Sequence, residues 1–460
     1  MRFTRLIILL FVLFGLSGQN ALHSEDADGW REMFNGKDLS GWHSVNVAPD
    51  TFTARDGMIV STGLPTGVLR TERMYENFII EMEWRHMKPG GNAGLFIWGD
   101  GIASVGIPFT RGIEIQILDN GYDVKGKNEW FTTHGDIFPI HGAKMTPTGT
   151  IAKSGVRSFP SEQRSKSSPE WNHYRVVANN GEVTLSVNGK VVTTGKDCYP
   201  RKGYIFLESE GSECHFRNIR IQELPSTGAT LDETAKPGDG FEPLFTGINL
   251  NGWRIPPKDN GHWKVQGEVI DYDGQSESDA EDKSLWSERE FANFQLIADW
   301  RIKETPYTNP HVAQILADGT EAVDDQGNQV TLSLPDADSG IYLRGSSKYQ
   351  VNIWCWPIGS GEMYGVRRDS GMPPETRKAV TPKKKADRPV GQWNRFDITV
   401  IDETVTVILN GETVISEAKI PGLPKRGPIA LQHHGSMKDG KWTSSPSLVQ
   451  FRNITIKELP

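Results

Sequence analysis

Apolar and polar residues alternate with a period of two through much of this chain, which is typical of strands with one buried and one polar face. The clearest run has Ile113, Ile115 and Ile117 at every second position, with Glu114 and Gln116 between them. Stretches with the period of an amphipathic helix are scarce. The pattern predicts an all-β protein in which the three isoleucines enter a core and the two polar residues face away from it.

Two Asn-Gly pairs mark tight turns. Asn188-Gly189 and Asn410-Gly411 each stand between alternating runs. Asn-Gly in that setting is the strongest short-range signal for a two-residue β-hairpin, because both residues tolerate positive φ. We therefore expect a hairpin at each position.

These hairpins belong to a longer duplication. The motif Phe-x-Gly-x-(Asp/Asn)-Leu-x-Gly-Trp begins at Phe34 and again at Phe245, and Phe-Arg-Asn-Ile begins at Phe216 and again at Phe451. Four further matches, in the same order, are Asn77-Phe78 with Asn293-Phe294, residues 93–99 with 339–345, Trp171-Asn172 with Trp393-Asn394, and residues 187–192 with 409–414. The collinear matches predict two homologous domains.

The chain divides at a polar segment without apolar periodicity, residues 226–240, which we interpret as a linker. The first domain is then 25–225 and the second is 241–460. Each has about 200 residues, a usual size for one β-sandwich. Residues 1–24 precede both domains and have a different character.

This N-terminal segment has the pattern of a secretory signal peptide. Arg2 and Arg5 supply positive charge, and residues 6–16 form an apolar stretch that is short for a membrane span. Cleavage near Ala21 or Ser24 would export the mature chain, so we expect a secreted or periplasmic protein. No other stretch has the pattern of a transmembrane segment.

The formal charge of -8 and the absence of a long basic run argue against a nucleic-acid partner. The chain contains 48 glycines and 14 tryptophans. Glycine suits the turns between short strands, and indole faces stack on sugar rings. The composition therefore favours an all-β protein whose ligand is an oligosaccharide or another glycoside.

Three cysteines, Cys198, Cys214 and Cys355, cannot all pair with one another. A Cys198–Cys214 disulfide and three reduced thiols are both compatible with the sequence. The spacing of the cysteines resembles no zinc site.

The two copies differ most between Trp300 and Gly340, where the second carries about thirty residues that the first lacks. We expect this insertion to form a hairpin or a lid, because loops on a shared scaffold are where binding diverges. Its aspartates, Asp318, Asp324 and Asp325, leave a calcium loop as an alternative, although their spacing matches no EF-hand.

Taken together, the motifs of the chain resemble one family. They are Phe-x-Gly-Lys-Asp-Leu-x-Gly-Trp, Gly-Ile-Tyr-Leu-Arg-Gly, Glu-x-Gln-Ile-Leu-Asp-Asn, Gly-x-Trp-Asn, Leu-Asn-Gly, a Gln-x-His-Gly turn and the closing Phe-Arg-Asn-Ile-x-Ile-x-Glu-Leu. The set resembles the 3-keto-disaccharide hydrolase domain family, twice over. The resemblance implies two tandem concanavalin-like jelly-roll β-sandwiches, and action on the glycosidic bond of an oxidised glycoside.

The strand of Glu114 is also similar to the catalytic strand of laminarinase-type β-glucanases, which carry Glu-x-Asp-x-x-Glu. This chain has Glu114, Gln116 and Asp119 at those three positions. The resemblance implies a carboxylate pair that acts as nucleophile and acid/base across a glycosidic bond. A solvated strand face is the alternative interpretation.

A 3-keto sugar permits a different route, in which a base removes the proton from C2, the C1 substituent leaves, and water adds to the enone. We assign Glu114 and Asp119 as candidate base and acid, and Gln116 as the partner of a sugar hydroxyl. His134 and His141, in a loop just downstream, are further acid/base candidates, or ligands of a divalent metal that polarises the carbonyl. The alternative for both is a solvated loop histidine.

The second copy lacks both carboxylates, because Gln350 stands at the position of Glu114 and Cys355 at that of Asp119. We therefore predict that the first domain is catalytic and that the second binds sugar. The predicted sugar-binding residues are Trp98 and Gln116 in the first copy, and Arg344, Gln350, Trp354, His433 and His434 in the second. Two binding modules, or two clefts with different ligands, are the alternatives; a non-catalytic carbohydrate-binding or cell-surface protein is the alternative function.

Overall fold

The computed structural model describes residues 28–123 and 128–460. The predicted signal peptide, residues 1–24, lies outside the described residues. Within them the chain forms 34 strands and two short helices, which confirms the all-β prediction. No helix in these two ranges is long and apolar enough to cross a membrane.

The first domain consists of two antiparallel sheets that pack face to face. Its strands are β1 (Trp30–Glu32), β2 (Trp42–Val45), β3 (Phe52–Arg55), β4 (Met58–Ser61), β5 (Gly67–Thr71), β6 (Phe78–His86), β7 (Asn92–Gly99), β8 (Gly112–Leu118), β9 (Ile137–Ile140), β10 (Lys144–Pro147), β11 (Thr150–Ile151), β12 (Ser158–Phe159), β13 (Asn172–Asn179), β14 (Glu182–Val187), β15 (Lys190–Tyr199), β16 (Tyr204–Ser209) and β17 (Cys214–Glu223). One sheet has the order β10-β15-β14-β13-β6-β17-β4-β3, with β1 also paired to β17, and the other has the order β11-β12-β9-β8-β7-β16-β5-β2.

The second domain repeats this plan with a smaller second sheet. Its elements are β18 (Glu242–Pro243), β19 (Trp253–Arg254), β20 (Trp263–Gln266), β21 (Val269–Tyr272), β22 (Leu285–Phe291), β23 (Phe294–Ile302), β24 (Tyr307–Ala313), β25 (Thr331–Asp336), β26 (Asp338–Leu343), β27 (Ser346–Trp354), α1 (Tyr364–Arg367), α2 (Pro374–Ala379), β28 (Asn394–Ile401), β29 (Thr404–Leu409), β30 (Glu412–Lys419), β31 (Gly427–Leu431), β32 (Met437–Lys438), β33 (Lys441–Trp442) and β34 (Val449–Glu458). The sheets have the orders β20-β21-β34-β23-β28-β29-β30, with β18 beside β34, and β19-β22-β31-β26-β27, and β24-β25 and β32-β33 form separate hairpins.

Alternation along the strands decides which side chains lie between the sheets. Ile113, Ile115 and Ile117 are completely buried in the core of the first domain, as predicted. Val351 and Ile353 of β27 take the equivalent places in the second core. Burial of each such side chain contributes roughly 1.5–3 kcal/mol relative to exposure, so a register shift that moved these residues outward would be strongly disfavoured.

Both predicted hairpins are present. β14 and β15 meet at Asn188 and Gly189, with φ of 48° and 85°, and β29 and β30 meet at Asn410 and Gly411, with φ of 53° and 86°. Positive φ at both positions is the geometry of a type I′ turn, which few residues other than Asn and Gly adopt without strain.

The insertion of the second copy forms the hairpin β24-β25, so the hairpin interpretation is confirmed. Asp318 accepts hydrogen bonds from Thr320, and Asp324 accepts from Gln326 and Asn328, all within their own turns. These aspartates therefore shape the connections of the insertion.

The segment interpreted as a linker packs against the first domain. Thr234 forms a bridge with Lys202, and Gly101 N donates to the carbonyl oxygen of Lys236 at 2.8 Å. Ala235 is only 3% exposed. The three cysteines are free thiols, so the structure contains no Cys198–Cys214 disulfide.

The two domains meet where the loop between β7 and β8 docks on the second domain. Asn453 of β34 donates from Nδ2 to the carbonyl oxygens of Ser104 and Ile107, at 2.9 and 2.8 Å. Gly106 N donates to Asp299 Oδ2 at 2.8 Å. The contact therefore joins loop backbone of one copy to strand side chains of the other.

Candidate active site

The register around β8 places its polar residues on the outer face of the sheet. Glu114 is opposite Phe96 of β7 and Phe138 of β9, and Gln116 is opposite Gly94 of β7. Opposite residues in an antiparallel pair share a face. Glu114 and Gln116 are each only 6% exposed, so neighbouring residues cover them, which is incompatible with a solvated strand face.

A second glutamate meets Glu114 over Gly94. Glu208 comes from β16, on the other side of β7, and is 1% exposed. A Cβ atom at Gly94 would lie 2.9 Å from Glu208 Oε2 and 3.2 Å from Glu114 Oε1. Glycine therefore leaves the space in which the two carboxyl groups converge. In the described structure Glu208 Oε2 has no hydrogen-bond partner, which is unusual for a buried polar atom and indicates a place for a proton or a ligand.

A third glutamate, Glu210, is tied to this cluster through two amides. Asn92 Nδ2 donates to Glu210 Oε2, and Gln116 Nε2 donates to Asn92 Oδ1 at 2.9 Å. The hydrogen bonds therefore run in one direction, from Gln116 through Asn92 to the carboxyl group of Glu210. The side-chain oxygen of Gln116 remains available as an acceptor.

Arg157 is a cation at the edge of the cluster. Its Nη1 atom donates to Asp136 Oδ2 at 3.1 Å and to Gln116 Oε1 at 3.4 Å. Its guanidinium carbon lies 3.5 Å from the centroid of the Phe138 ring. The buried Asp136 and the ring hold the planar guanidinium where it can donate to a ligand oxygen.

Burial and repulsion raise the pKa values of the three glutamates. For Glu114 the pKa rises well above its usual range, first because the group is buried and then because Glu210 is near. For Glu208 burial again comes first, followed by the charges of Glu114 and Glu210. Burial also raises the pKa of Glu210. The cluster therefore holds protons at a pH where exposed carboxyl groups are ionised, and its members titrate together.

Asp119, the predicted partner of Glu114, lies in a turn. Its Oδ1 atom accepts from the backbone N of Gly90 and of Gly121, each at 2.8 Å, and Oδ2 accepts from Ser168 N at 2.6 Å. Asp119 shares no hydrogen-bond partner with Glu114. The structure therefore pairs Glu114 with Glu208 and not with Asp119, whose oxygens are occupied by backbone donors.

The two histidines predicted as acid/base groups or metal ligands lie in separate settings. His134 Nδ1 is 3.2 Å from Ser165 Oγ, and burial lowers the pKa of the imidazole. His141 is exposed and stacks on Phe109, with ring centroids 5.9 Å apart. Neither shares a hydrogen-bond partner with Glu114. Across residues 28–123 and 128–460, no group of three or more His, Cys, Asp or Glu side chains is arranged to hold a metal ion.

Two predicted sugar-binding residues are structural. Trp98 is completely buried in the core and donates from Nε1 to a backbone carbonyl at 2.7 Å, so it has no face for a sugar ring. Arg344 is 2% exposed. Its guanidinium donates to the carbonyl oxygens of Ala292, Asp402 and Pro424. Both predictions are wrong because backbone groups already use the polar atoms of these side chains.

The second domain has an amide pair where the first has its glutamate pair. Gln350 takes the position of Glu114, and Gln432, which follows β31, takes that of Glu208. Gln350 Nε2 donates to Gln432 Oε1. A Cβ atom at Gly340 would lie 2.4 Å from Gln350 Nε2. The amides thus make the hydrogen bond that a carboxylic acid makes to a carboxylate, without a charge.

Beside this pair, Asp338 and His434 take the places of Asn92 and Glu210. His434 Nε2 lies 4.0 Å from Asp338 Oδ2. Burial raises the pKa of Asp338 to about 6, although the nearby His434 opposes the rise. The second cleft therefore contains an acidic and a basic group of different chemical types.

The other predicted binding residues of the second domain are mostly enclosed. His433 Nδ1 is hydrogen-bonded to Tyr272 Oη, and burial lowers the pKa of this imidazole to about 4, so it is uncharged at neutral pH. Trp354 is 3% exposed and stacks on Trp356, with ring centroids 4.2 Å apart and an interplanar angle of 2°. It also lines a cavity of about 300 Å³ together with Val390.

Glu208 and Glu210 are site residues that the sequence motifs do not indicate. In the alignment of the two copies they occupy the places of Gln432 and His434. The sequence does show that these two acids stand at alternate positions after an apolar run, and that the aligned residues of the second copy are also polar. This pattern predicts that both acids lie on an outer face of a sheet, but it does not predict which strand pairs with theirs.

Comparison with protein families finds the 3-keto-alpha-glucoside-1,2-lyase-like domain twice in this chain, at residues 29–222 and 240–457. The first match covers the sandwich that contains the glutamate cluster, and the second covers the sandwich that contains the amide pair. The matches confirm the family resemblance that the motifs indicate.

Individual relatives are more distant. A 3-keto-disaccharide hydrolase from Bacteroides thetaiotaomicron is 24% identical over 252 residues, which are 43% of this chain and 80% of that protein. A solved structure of a candidate glycosyl hydrolase from Parabacteroides distasonis is 21% identical, with a TM-score of 0.31, and the match covers 44% of this chain and 96% of that one. A carbohydrate-binding module from Bacillus subtilis is 13% identical, with a TM-score of 0.26, over 40% of this chain and 96% of that one.

Proposed function

Because the chain belongs to the 3-keto-alpha-glucoside-1,2-lyase-like family, with one family domain in each sandwich, we propose that its first domain cleaves the glycosidic bond of a 3-keto-glycoside. Family membership supports a glycosidase-type activity on carbohydrate. The observation that carries the finer proposal is the meeting of Glu114 and Glu208 over Gly94. Two neighbouring buried carboxyl groups with raised pKa values can supply the acid and the base that this cleavage needs.

The reaction begins at C2, where the adjacent C3 carbonyl makes the proton acidic. The ionised member of the Glu114–Glu208 pair removes this proton, and the electrons of the C–H bond form the C2=C3 bond of an enolate. The C1–O bond then breaks, which forms a C1=C2 double bond and restores the C3 carbonyl. The other glutamate gives its proton to the departing oxygen. Water adds to C1 and a proton returns to C2, which completes hydrolysis; release before this addition would be a lyase reaction.

The surrounding residues suit the charge that develops on the C3 oxygen. Arg157 is fixed by Asp136 beside Gln116 and supplies a cationic donor. Gln116 and Asn92 supply amide groups for sugar hydroxyls. Donors that are already in place before the reaction stabilise such charge most effectively.

The same proposal gives the second domain a sugar-binding role and gives residues 1–24 a role in export to the periplasm or the exterior. Uncharged amides, as at Gln350 and Gln432, are groups that bind the hydroxyls of neutral sugars, and the ring of Trp354 lines a cavity of about 300 Å³. The charged n-region and apolar stretch of the N-terminus support export.

Glu114→Gln and Glu208→Gln test the proposal directly. Each variant keeps the shape of the side chain and introduces the amide that the second domain has at that position, so the fold is retained. We expect each to lower kcat on methyl 3-keto-α-glucopyranoside by at least about 100-fold, because a general acid or base contributes roughly 10²–10⁴-fold. Product formation is followed by release of methanol.

Glu182→Gln is the matched control, since Glu182 is an exposed glutamate of β14 in the same domain. It should leave turnover unchanged. Wild-type turnover in both cleft variants would contradict the proposal. Saturable binding of sugar by the wild-type protein, with no product on long incubation, would instead support the non-catalytic carbohydrate-binding function.

A further inference from the structure

The second domain has a polar cleft of its own, at the positions equivalent to the glutamate cluster. We propose that this cleft is a second acid–base site, in which His434 and Asp338 exchange protons with a neutral, polyhydroxylated glycoside. The class of ligand rests on the function proposed for the first domain, whereas the site itself rests on contacts within the second domain.

His434 is held in one orientation by the segment before β34. Its Nδ1 atom lies 2.6 Å from the carbonyl oxygen of Ser445, and its backbone N donates to Ser447 Oγ at 2.7 Å. A carbonyl only accepts, so in the neutral imidazole Nδ1 carries the hydrogen and Nε2 is the basic atom. Ser445 is fixed in turn, because its Oγ donates to Asp336 Oδ2 at 2.7 Å.

Asp338 faces this basic nitrogen without bonding to it. The distance of 4.0 Å between Asp338 Oδ2 and His434 Nε2 is too long for a hydrogen bond, but a ligand oxygen can lie at hydrogen-bond distance from both atoms. The side chains of His434 and Asp338 are 38% and 21% exposed. The pair is therefore open to a ligand from solvent.

Two buried oxygen atoms on this face of the sheet, Asp338 Oδ1 and Asn352 Oδ1, accept no hydrogen bond in the described structure. Asn352 is 2% exposed and shares the outer face of β27 with Gln350. Buried acceptors without donors are rare, and the hydroxyl groups of a sugar would satisfy them. In the first domain the equivalent oxygen, on Gln116, already accepts from Arg157.

The floor of this cleft favours an uncharged ligand. Gln350 and Gln432 bond to each other through neutral amides. Tyr342 is opposite Gln350, and its ring lies 5.7 Å from that of Trp286. Amides and aromatic rings bind the hydroxyl groups and the apolar faces of sugars. A neutral glycoside therefore fits these residues.

With a 3-keto-glucoside in this cleft, His434 Nε2 takes the C2 proton while the electrons of that C–H bond form the C2=C3 bond. Protonated Asp338 gives its proton to the C3 oxygen, so the product is a neutral enediol. The reverse steps return a proton from the imidazole to C2 and one from the C3 hydroxyl to Asp338. Because the imidazole exchanges protons with solvent, C2 acquires deuterium in D₂O even when no glycosidic bond breaks.

Deuterium exchange tests the pair. The full-length variant with both Glu114→Gln and Glu208→Gln lacks the two carboxyl groups proposed as acid and base in the first domain. Proton NMR follows the C2 signal of methyl 3-keto-α-glucopyranoside in D₂O with this variant. We expect exchange above the rate without protein, and a loss of at least about 10-fold when His434→Gln or Asp338→Asn is added. His311→Gln, an exposed histidine of β24, should have no effect.

Exchange that is unchanged by His434→Gln, in a variant whose near-ultraviolet circular dichroism shows a native fold, would overturn this proposal. Exchange that disappears completely in the Glu114→Gln and Glu208→Gln parent would also overturn it, because all proton transfer would then belong to the first cleft. The function proposed for the first domain is decided separately, by the rate of methanol release in the two single glutamate variants.

Discussion

At the scale of single residues, burial has opposite consequences for Glu114 and Asp119. Glu114 is buried among other carboxyl groups, which disfavours its ionised form. Asp119 is buried among backbone N–H groups, which donate to both of its carboxyl oxygens. The first is therefore available for proton transfer, whereas the second holds the turn after β8.

Asp119→Asn should destabilise the first domain and leave the chemistry intact. The amide nitrogen would face a backbone N–H, and an unpaired buried donor costs about 1–3 kcal/mol. We expect the free energy of unfolding, measured by denaturant titration, to fall by roughly 2 kcal/mol. The turnover of the folded fraction should remain that of the wild-type protein.

Glu114→Gln provides the contrast for Asp119→Asn, since it should remove turnover without loss of stability. If Asp119→Asn instead removed turnover at unchanged stability, Asp119 would be the acid that the β-glucanase resemblance implies, and the structural role given to it here would be wrong.

At the scale of elements, the strands and tight turns were predictable because their signals are local. Alternation over a few residues predicts the strand β8, and the pair Asn188-Gly189 predicts a hairpin turn. The meeting of Glu114 and Glu208 depends on β16 pairing with β7 from a distant part of the chain. No local pattern encodes that partner, so the sequence indicated one acid of the pair and missed the other.

Trp98 and Arg344 show a second limit of sequence reasoning. Both occupy the same place in the duplication and both have positive φ, 54° and 49°. Their side chains turn toward buried carbonyl groups supplied by other loops. Residue type suggested sugar binding at both positions, but the polar atoms of both side chains are already hydrogen-bonded to backbone groups that only the folded chain brings near.

The turn after β31 makes the stability of the second domain depend on pH. Burial lowers the pKa of His433 from 6.5 to about 4. Between these values the unfolded chain binds a proton that the folded chain does not bind. Stability from this residue is therefore complete above pH 6.5 and is lost as the pH falls toward 4. The loss should be on the order of 2 kcal/mol.

His433→Gln should flatten this part of the pH dependence. We expect the difference in unfolding free energy between pH 7.5 and pH 4.5 to shrink by on the order of 2 kcal/mol relative to the wild-type protein. His311→Gln, at an exposed site, is the control and should keep the wild-type difference. An equal pH dependence in wild type and His433→Gln would contradict the assignment.

At the scale of the whole molecule, Asn453 couples the two domains. It donates to Ser104 and Ile107 of the first domain, and it accepts from Asn46 at 2.6 Å. Its counterpart in the first copy, Asn218, is bonded to Glu83 and faces solvent. Equivalent residues of the duplication therefore have one role at an interface and another on a free surface.

Asn453→Gly should loosen this coupling, because glycine accepts the positive φ of 50° at this position while the side-chain hydrogen bonds are lost. With about 1 kcal/mol for each bond, the loss is roughly 3 kcal/mol. We expect calorimetry to resolve two thermal transitions where the wild-type protein shows one. Asn218→Gly, at a φ of 51°, is the matched control and should keep one transition. Two transitions in both variants, or in neither, would show that Asn453 does not couple the domains.

The docking of the β7–β8 loop also bears on whether the molecule can polymerise. The contact is head to tail, because a loop of one copy meets a sheet of its homologue, and such contacts can propagate into open filaments. The first domain still displays the surface of Glu83 and Asn218 that corresponds to the docked one. In the second domain, however, β26 and β27 are joined by Arg344 and Gly345 alone. That short turn offers no loop that could dock on the first domain of a neighbouring molecule. The contact between the two domains of one chain is therefore not repeated between molecules.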